Sequence, residues 1–275
     1  MSKKISFGAL FSKPDVRDYV AKAQQSEFPD EFELKMPKVK NQGAVGSCVA
    51  HALSTVVEYF NQKESGKYTQ MSTGYIYGNR RFTLNKAEGL ITRDALHTVS
   101  KYGDVPNKLF DVNVEVPDAI NEFEAAVDSI ESEGYLYKFK EYFKLKDDAA
   151  IKTSIMENGP VVMAMSWFDD IEVVDGVMKT NEVKTLQTGG HCMVIYGWNE
   201  TGWKVQNSWG RGWAENGRVI IPYNVTLKEV WGVRDAEADS TLIVKKPFSS
   251  AFGEKFAKVL NAIVLSLYNL FHKTK

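Results

Sequence analysis

Near Gly134 the hydrophobic pattern of this 275-residue chain changes period. Ahead of that point apolar residues recur every three or four positions, the signature of helices with one buried face. Val49, Ala52, Leu53, Val56, Val57 and Phe60 predict a helix that starts at Ser47 or Cys48 and runs through VAHALSTVVEYFNQ. Gly43 and Gly46 before it allow a tight turn into its first residue. A second helix is expected over Thr92–Tyr102, stopped by Gly103, and a third from Pro117 to Ser132, closed before Gly134. Beyond Gly134, YLYKFKEYFKL alternates like a strand, and a short helix is expected near Asp147–Met156. PVVMAM, CMVIYGW, WKVQN and RVIIP then read as short strands separated by glycine and asparagine. The chain reads as a helical lobe followed by a strand-rich lobe.

Composition narrows the function. The chain is 44% hydrophobic and 25% charged with a net charge of -1, which argues against disorder, a collagen-like chain or a basic nucleic-acid binder. No nucleic-acid partner is expected. The first fifteen residues hold an apolar stretch too short for a signal-peptide core, and no run approaches the roughly 18 apolar residues of a membrane span. Lys245–Ser250 reads as a linker. After it, Phe252, Phe256, Val259, Leu260, Ile263, Val264, Leu267, Leu270 and Phe271 form an amphipathic stripe. Six lysines and one acid give the segment from Lys245 onward +5, against -6 for the rest. Residues 250–272 could therefore contact an anionic membrane surface or a protein partner, or pack on their own domain.

The chain has two cysteines, too few for a disulfide framework, so a reducing, cytoplasmic setting is expected. Cys192, inside CMVIYGW, fits a small buried hydrophobe. Cys48 falls at a helix start after a glycine-bearing loop, where the helix dipole favours a thiolate and so a nucleophile. Cys48, His51, His191 and Cys192 make a zinc set by count only. Adjacent residues on a strand face opposite ways, so His191 and Cys192 cannot both reach one ion, and no metal or cofactor is expected. Nor does Gly-Lys-Ser/Thr follow Gly43–Ser47, as a phosphate loop would need. His51, one turn after Cys48, is expected to pack or make a polar contact rather than act as base, and His97 to be structural.

Val39–Cys48 (VKNQGAVGSC) resembles the nucleophile motif of papain-like cysteine proteases, Gly189–Val194 (GGHCMV) their histidine motif, and Asn207–Trp213 (NSWGRGW) their asparagine motif. His191 and Asn207 follow Cys48 by 143 and 159 residues, close to the roughly 130 to 150 of that family. Looser matches lie at Met71–Tyr77 and Gly159–Val162, so the resemblance spans roughly Met36 to Val244.

The resemblance implies an α+β, two-lobed fold with the active site in the cleft between the lobes. Its expected divisions are an extension over 1–35, a helical lobe over 36–134, a β-rich lobe over 135–244, and the linker and basic helix over 245–275. It also implies a cysteine endopeptidase acting on protein or peptide. Cys48 would be held as thiolate by His191, which later protonates the leaving amine as an acyl-enzyme forms; Asn207 would orient the imidazole. Gln42 would supply a side-chain N–H beside the Cys48 backbone N–H as oxyanion hole, and Trp209 would shield the Asn207–His191 contact. Gly89 resembles the glycine edge that pairs with substrate backbone, or is a loop before the helix. Alternatives are a thiol hydrolase of cell-wall or isopeptide bonds, or an idle protease fold that binds a partner. Val45 and Val49, where many lysosomal members carry a bridging cysteine and a tryptophan, point to the disulfide-free prokaryotic type. Pro14–Asp18 (PDVRD) echoes the start of those members.

Overall fold

The computed structural model describes residues 7–23, 27–83, 86–179 and 187–235. The expected linker and basic helix over 245–275 lie outside the described residues.

The chain opens with two short strands, β1 (Ala9–Leu10) and β2 (Phe32–Glu33), and then enters α1 (Cys48–Ser65), α2 (Thr73–Gly78), β3 (Leu90–Ile91), α3 (Thr92–Tyr102) and α4 (Asp118–Gly134). The second half is β4 (Phe139–Leu145), α5 (Asp148–Glu157), β5 (Val161–Phe168), β6 (Glu172–Val174) and β7 (Val177–Lys179). It ends with β8 (Gln187–Trp198), β9 (Gly202–Gln206), β10 (Arg218–Pro222) and β11 (Glu229–Asp235). Helix α3 matches its expected span, whereas α4 runs through Gly134 rather than stopping before it.

The strands of the second half form one sheet in the order β4-β11-β5-β8-β9-β10-β7-β6, with β2 added against β8. Helix α1 packs against β5 and β8 from the other lobe. It is the buried spine of the molecule: every residue from Cys48 to Glu58 is buried. Its polar residues therefore need partners inside the protein. The Glu58 carboxylate, fully buried, accepts the Met71 backbone N–H at 2.8 Å and pairs with Lys40 Nζ at 2.9 Å. Thr55 donates to the carbonyl of His51. Gly66, at φ +67°, ends the helix with its N–H on the Gln62 carbonyl.

Residues 7–23, expected as part of an extension, are threaded across both lobes. β1 pairs in parallel with β3, Ala9 opposite Leu90 and Leu10 opposite Ile91. Farther on, Lys144 N–H donates to the Tyr19 carbonyl and Ala21 N–H to the Lys144 carbonyl, which ties the segment to β4.

Candidate active site

Cys48 is the first residue of α1, as its sequence context predicts. His191 lies within β8 and Asn207 directly after β9. These two strands pair antiparallel with Val194 opposite Gln206, which carries Asn207 back beside His191. His191 Nε2 and Asn207 Oδ1 are 2.8 Å apart. Asn207 Oδ1 also accepts the Ser208 backbone N–H at 2.7 Å, which fixes the oxygen rather than the nitrogen of the amide toward the ring. The neutral imidazole must then carry its proton on Nε2. Nδ1 is left with a lone pair, and it has no hydrogen-bond partner among the described residues. Trp209 stacks on His191, centroids 4.5 Å apart at 24°, and Trp167 meets the ring edge-on at 5.4 Å.

Strand alternation separates His191 from its neighbour. Cys192 is buried in the same apolar cluster as Cys48, Ala164 and Trp231, whereas His191 lies among Trp209, Trp167 and Phe7. His51 is buried and its Nδ1 sits 3.0 Å from the Ser47 carbonyl and 3.2 Å from Ser47 Oγ. Gln42 is buried too. Its Nε2 donates to the Val45 carbonyl at 2.9 Å, while its Oε1 accepts from Ser208 Oγ at 2.7 Å. The expected oxyanion donor thus spends a hydrogen bond on its own loop.

The site is covered. Phe7 stands edge-on to His191 at 5.9 Å and touches Trp167 and Trp209. Gly8 N–H donates to the Gly190 carbonyl at 3.2 Å, and the Gly8 carbonyl accepts from Leu90 N–H at 2.8 Å. The edge beside Gly89, expected to pair with substrate, is therefore occupied by the chain's own β1. Only glycines allow so close an approach: a Cβ at Gly8 would lie 1.8 Å from the Gly46 carbonyl oxygen, and one at Gly190 2.0 Å from that of Ala9. Farther along, Arg93 backbone N–H donates to Ser12 Oγ, and its guanidinium binds the Lys13 carbonyl and the Asp18 carboxylate. The PDVRD stretch is one end of this fastening.

Covering the site changes its electrostatics. Cys48 and His191 are both 0% exposed. Burial pushes the Cys48 thiol up to about 11, although backbone N–H groups of Cys192 and Gly8 pull it down. Burial likewise lowers His191 to about 4, against the opposing effect of the hydrogen bond that its Nε2–H donates to Asn207. In this closed state exclusion of water penalises both charged forms of the expected ion pair, the Cys48 thiolate and the His191 imidazolium.

Residues 28–236 match the family model described as papain family cysteine protease. The chain belongs to the papain family of cysteine proteases. It is thus a cysteine peptidase, a hydrolase. An uncharacterised peptidase C1-like protein of Acanthamoeba polyphaga mimivirus is 26% identical over 82% of this chain and 83% of its own length. Cysteine proteinase 2 of Leishmania pifanoi is 25% identical over 75% of this chain, though the match covers 48% of that protein. Among solved structures, the cysteine protease xylellain of Xylella fastidiosa superposes with a TM-score of 0.76 at 22% identity, over 85% of this chain and 97% of its own. This papain-family chain therefore has the two-lobed α+β fold.

β11 and the covering segment were not foreseen from sequence. EVWGVRD does carry the apolar run that would have announced the strand.

Proposed function

We propose that this papain-family member is an endopeptidase working through Cys48, His191 and Asn207. His191 Nδ1 takes the thiol proton, and the Cys48 sulfur attacks the scissile carbonyl carbon. The oxyanion that forms is held by the Cys48 backbone N–H and the Gln42 amide. As the C–N bond breaks, the imidazolium returns the proton to the departing amine, leaving an acyl-enzyme. Water, deprotonated by the same nitrogen, then releases the acid and regenerates the thiol. The observation that carries this reading is the Ser208–Asn207–His191 chain of hydrogen bonds, which leaves Nδ1 as the basic nitrogen. Trp209, stacked on the imidazole, supports it by keeping water from that chain.

The closed state is latent in this reading. The Gly8 carbonyl is bonded to Leu90 N–H, so it is not offered to Cys48 for attack. Residues 7–12 must leave before a substrate enters and before the ion pair forms. A reducing compartment belongs to the same proposal, since both cysteines are unbridged.

The test is modification of the full chain by an electrophilic peptide, followed by mass mapping. Modification of Cys48 in parallel with loss of peptide cleavage is expected. Modification of Cys192 with Cys48 untouched would overturn the assignment, and a Cys48→Ala variant with full biological activity would point to a binding scaffold instead.

A further inference from the structure

The proposed mechanism leaves one of the chain's two thiols, that of Cys192, without a task. Cys192 is 1% exposed, lies on β8 directly after His191, and is unbridged, as is Cys48. The alternation that turns the His191 ring toward Trp209 turns the Cys192 side chain the other way, into the apolar cluster that holds Cys48. The two residues also meet through the backbone, since the Cys192 N–H bonds the Cys48 sulfur. Across the strand pair Cys192 stands opposite Ala164, whose single methyl group crowds its sulfur least among residues with a Cβ.

What such a pair does under oxidation depends on which sulfur meets the oxidant first and whether the other can follow. Hydroperoxides react with thiolates, so the thiol that ionises more readily is oxidised. Burial, then the charge of Cys48, then that of Glu229 push the Cys192 thiol well up. Cys48 instead has the start of α1 and two backbone N–H groups in favour of its thiolate. Cys48 is therefore the sulfur that reacts, and Cys192 stays reduced beside it. In the closed state both are covered. Once residues 7–12 leave, Cys48 is open to solvent, and the departure of Ala9 from the shared cluster frees space for Cys192 to change rotamer.

Resting on Cys48 as the nucleophile of the reading above, we propose that Cys48 and Cys192 form a redox modification site, with a hydroperoxide as oxidant and Cys192 as the resolving thiol. The Cys48 thiolate attacks a peroxide oxygen: an S–O bond forms, the O–O bond breaks, the other oxygen departs as water or alcohol once protonated, and the sulfur gives up two electrons. Cys48 is left as sulfenic acid. The Cys192 sulfur then attacks the Cys48 sulfur, the S–S bond forming as the S–O bond breaks, and the Cys192 proton leaves with the hydroxyl group as water. A dithiol reverses the bridge by exchange. The bridge halts oxidation at a reversible stage, before a second peroxide converts Cys48 to a sulfinic acid that thiols do not reduce. The cover protects the closed state, and Cys192 protects the open one.

The experiment treats the full chain, as wild type and as Gly8→Ala to loosen the cover, with hydrogen peroxide. The peroxide is removed, remaining thiols are blocked with N-ethylmaleimide in denaturant, and the digest is mapped by mass without reduction. A linked pair of peptides carrying Cys48 and Cys192 is expected within one chain, forming faster in Gly8→Ala, and dithiothreitol is expected to restore peptide cleavage. Cys192→Ala, with Cys192→Ser as a second variant in case the first folds poorly, should cleave peptide at a similar rate before oxidation. After oxidation it should recover at least fivefold less activity, with Cys48 found as sulfinic acid. Sulfinic Cys48 beside a free Cys192 in the wild type, a link between two chains only, or equal recovery with and without Cys192 overturns the assignment and leaves Cys192 as a packing residue. The linked pair is read by mass, so a chain that forms it without ever cleaving peptide defeats the peptidase reading but not the redox site.

Discussion

At Cys48 two residue-scale effects oppose each other. The N-terminus of a helix favours a thiolate by about 0.3 to 2 kcal/mol. Burial, moving the thiol from 9.0 to about 11, disfavours it by about 3 kcal/mol. Burial is the stronger of the two, and because residues 7–12 complete it, it is removable; Gly8 is where a single methyl group removes it. A Cβ there meets the Gly46 carbonyl oxygen at 1.8 Å, and backbone on both sides leaves little room to yield. Gly8→Ala should therefore hold the segment off the site. Alkylation of Cys48 in the full chain should accelerate at least tenfold, while unfolding of the sheet lobe is little changed. An unaltered alkylation rate would show that the closed state does not limit access to the thiol.

At the scale of elements, α1 is held by an internal ion pair as well as by apolar packing. Lys40 and Glu58 are 9% and 0% exposed, and Glu58 also caps the Met71 N–H. Burial raises the Glu58 carboxyl and Lys40 opposes it, with burial the larger effect. Truncating one partner leaves the other charge buried, which typically costs about 3 to 5 kcal/mol. Glu58→Ala should show that loss in denaturant unfolding; a loss below about 1 kcal/mol would mean water already solvates the pair. Elements such as α1, α3 and β8 were legible because their apolar periods are local. So were the place of Cys48 at the start of α1 and the meeting of His191 with Asn207, since their motifs are short and ordered. The β1–β3 pairing was not, since Gly8, Gly46, Gly89 and Gly190 each look like ordinary loop punctuation and acquire meaning only where they meet. The hydrogen bond from Ser12 N–H to Glu229 was hidden for the same reason, since its partners lie 217 residues apart in the chain.

For the molecule as a whole, a helix buried from Cys48 to Glu58 and a covered cleft leave two imidazoles without water, and this makes stability acid-sensitive. Burial lowers His191 to about 4, and burial first, then the charge of Lys40, lowers His51 to about 3. The unfolded chain titrates near 6.5. Between those values the unfolded state binds more protons, so acid favours unfolding. The stability these neutral rings contribute is fully present above pH ~6.5 and is lost as the pH falls toward their folded values. Asp104 and Glu58 act in the opposite sense, because burial raises both carboxyls and acid relieves them. The effect of one histidine is isolated by comparing wild type with His51→Gln, whose amide can still reach Ser47. Between pH 7 and pH 4.5 wild type should lose about 2 to 3 kcal/mol more unfolding free energy than the variant. Parallel stability curves would mean that His51 is protonated in the folded protein, with its charge accommodated by the Ser47 carbonyl and hydroxyl.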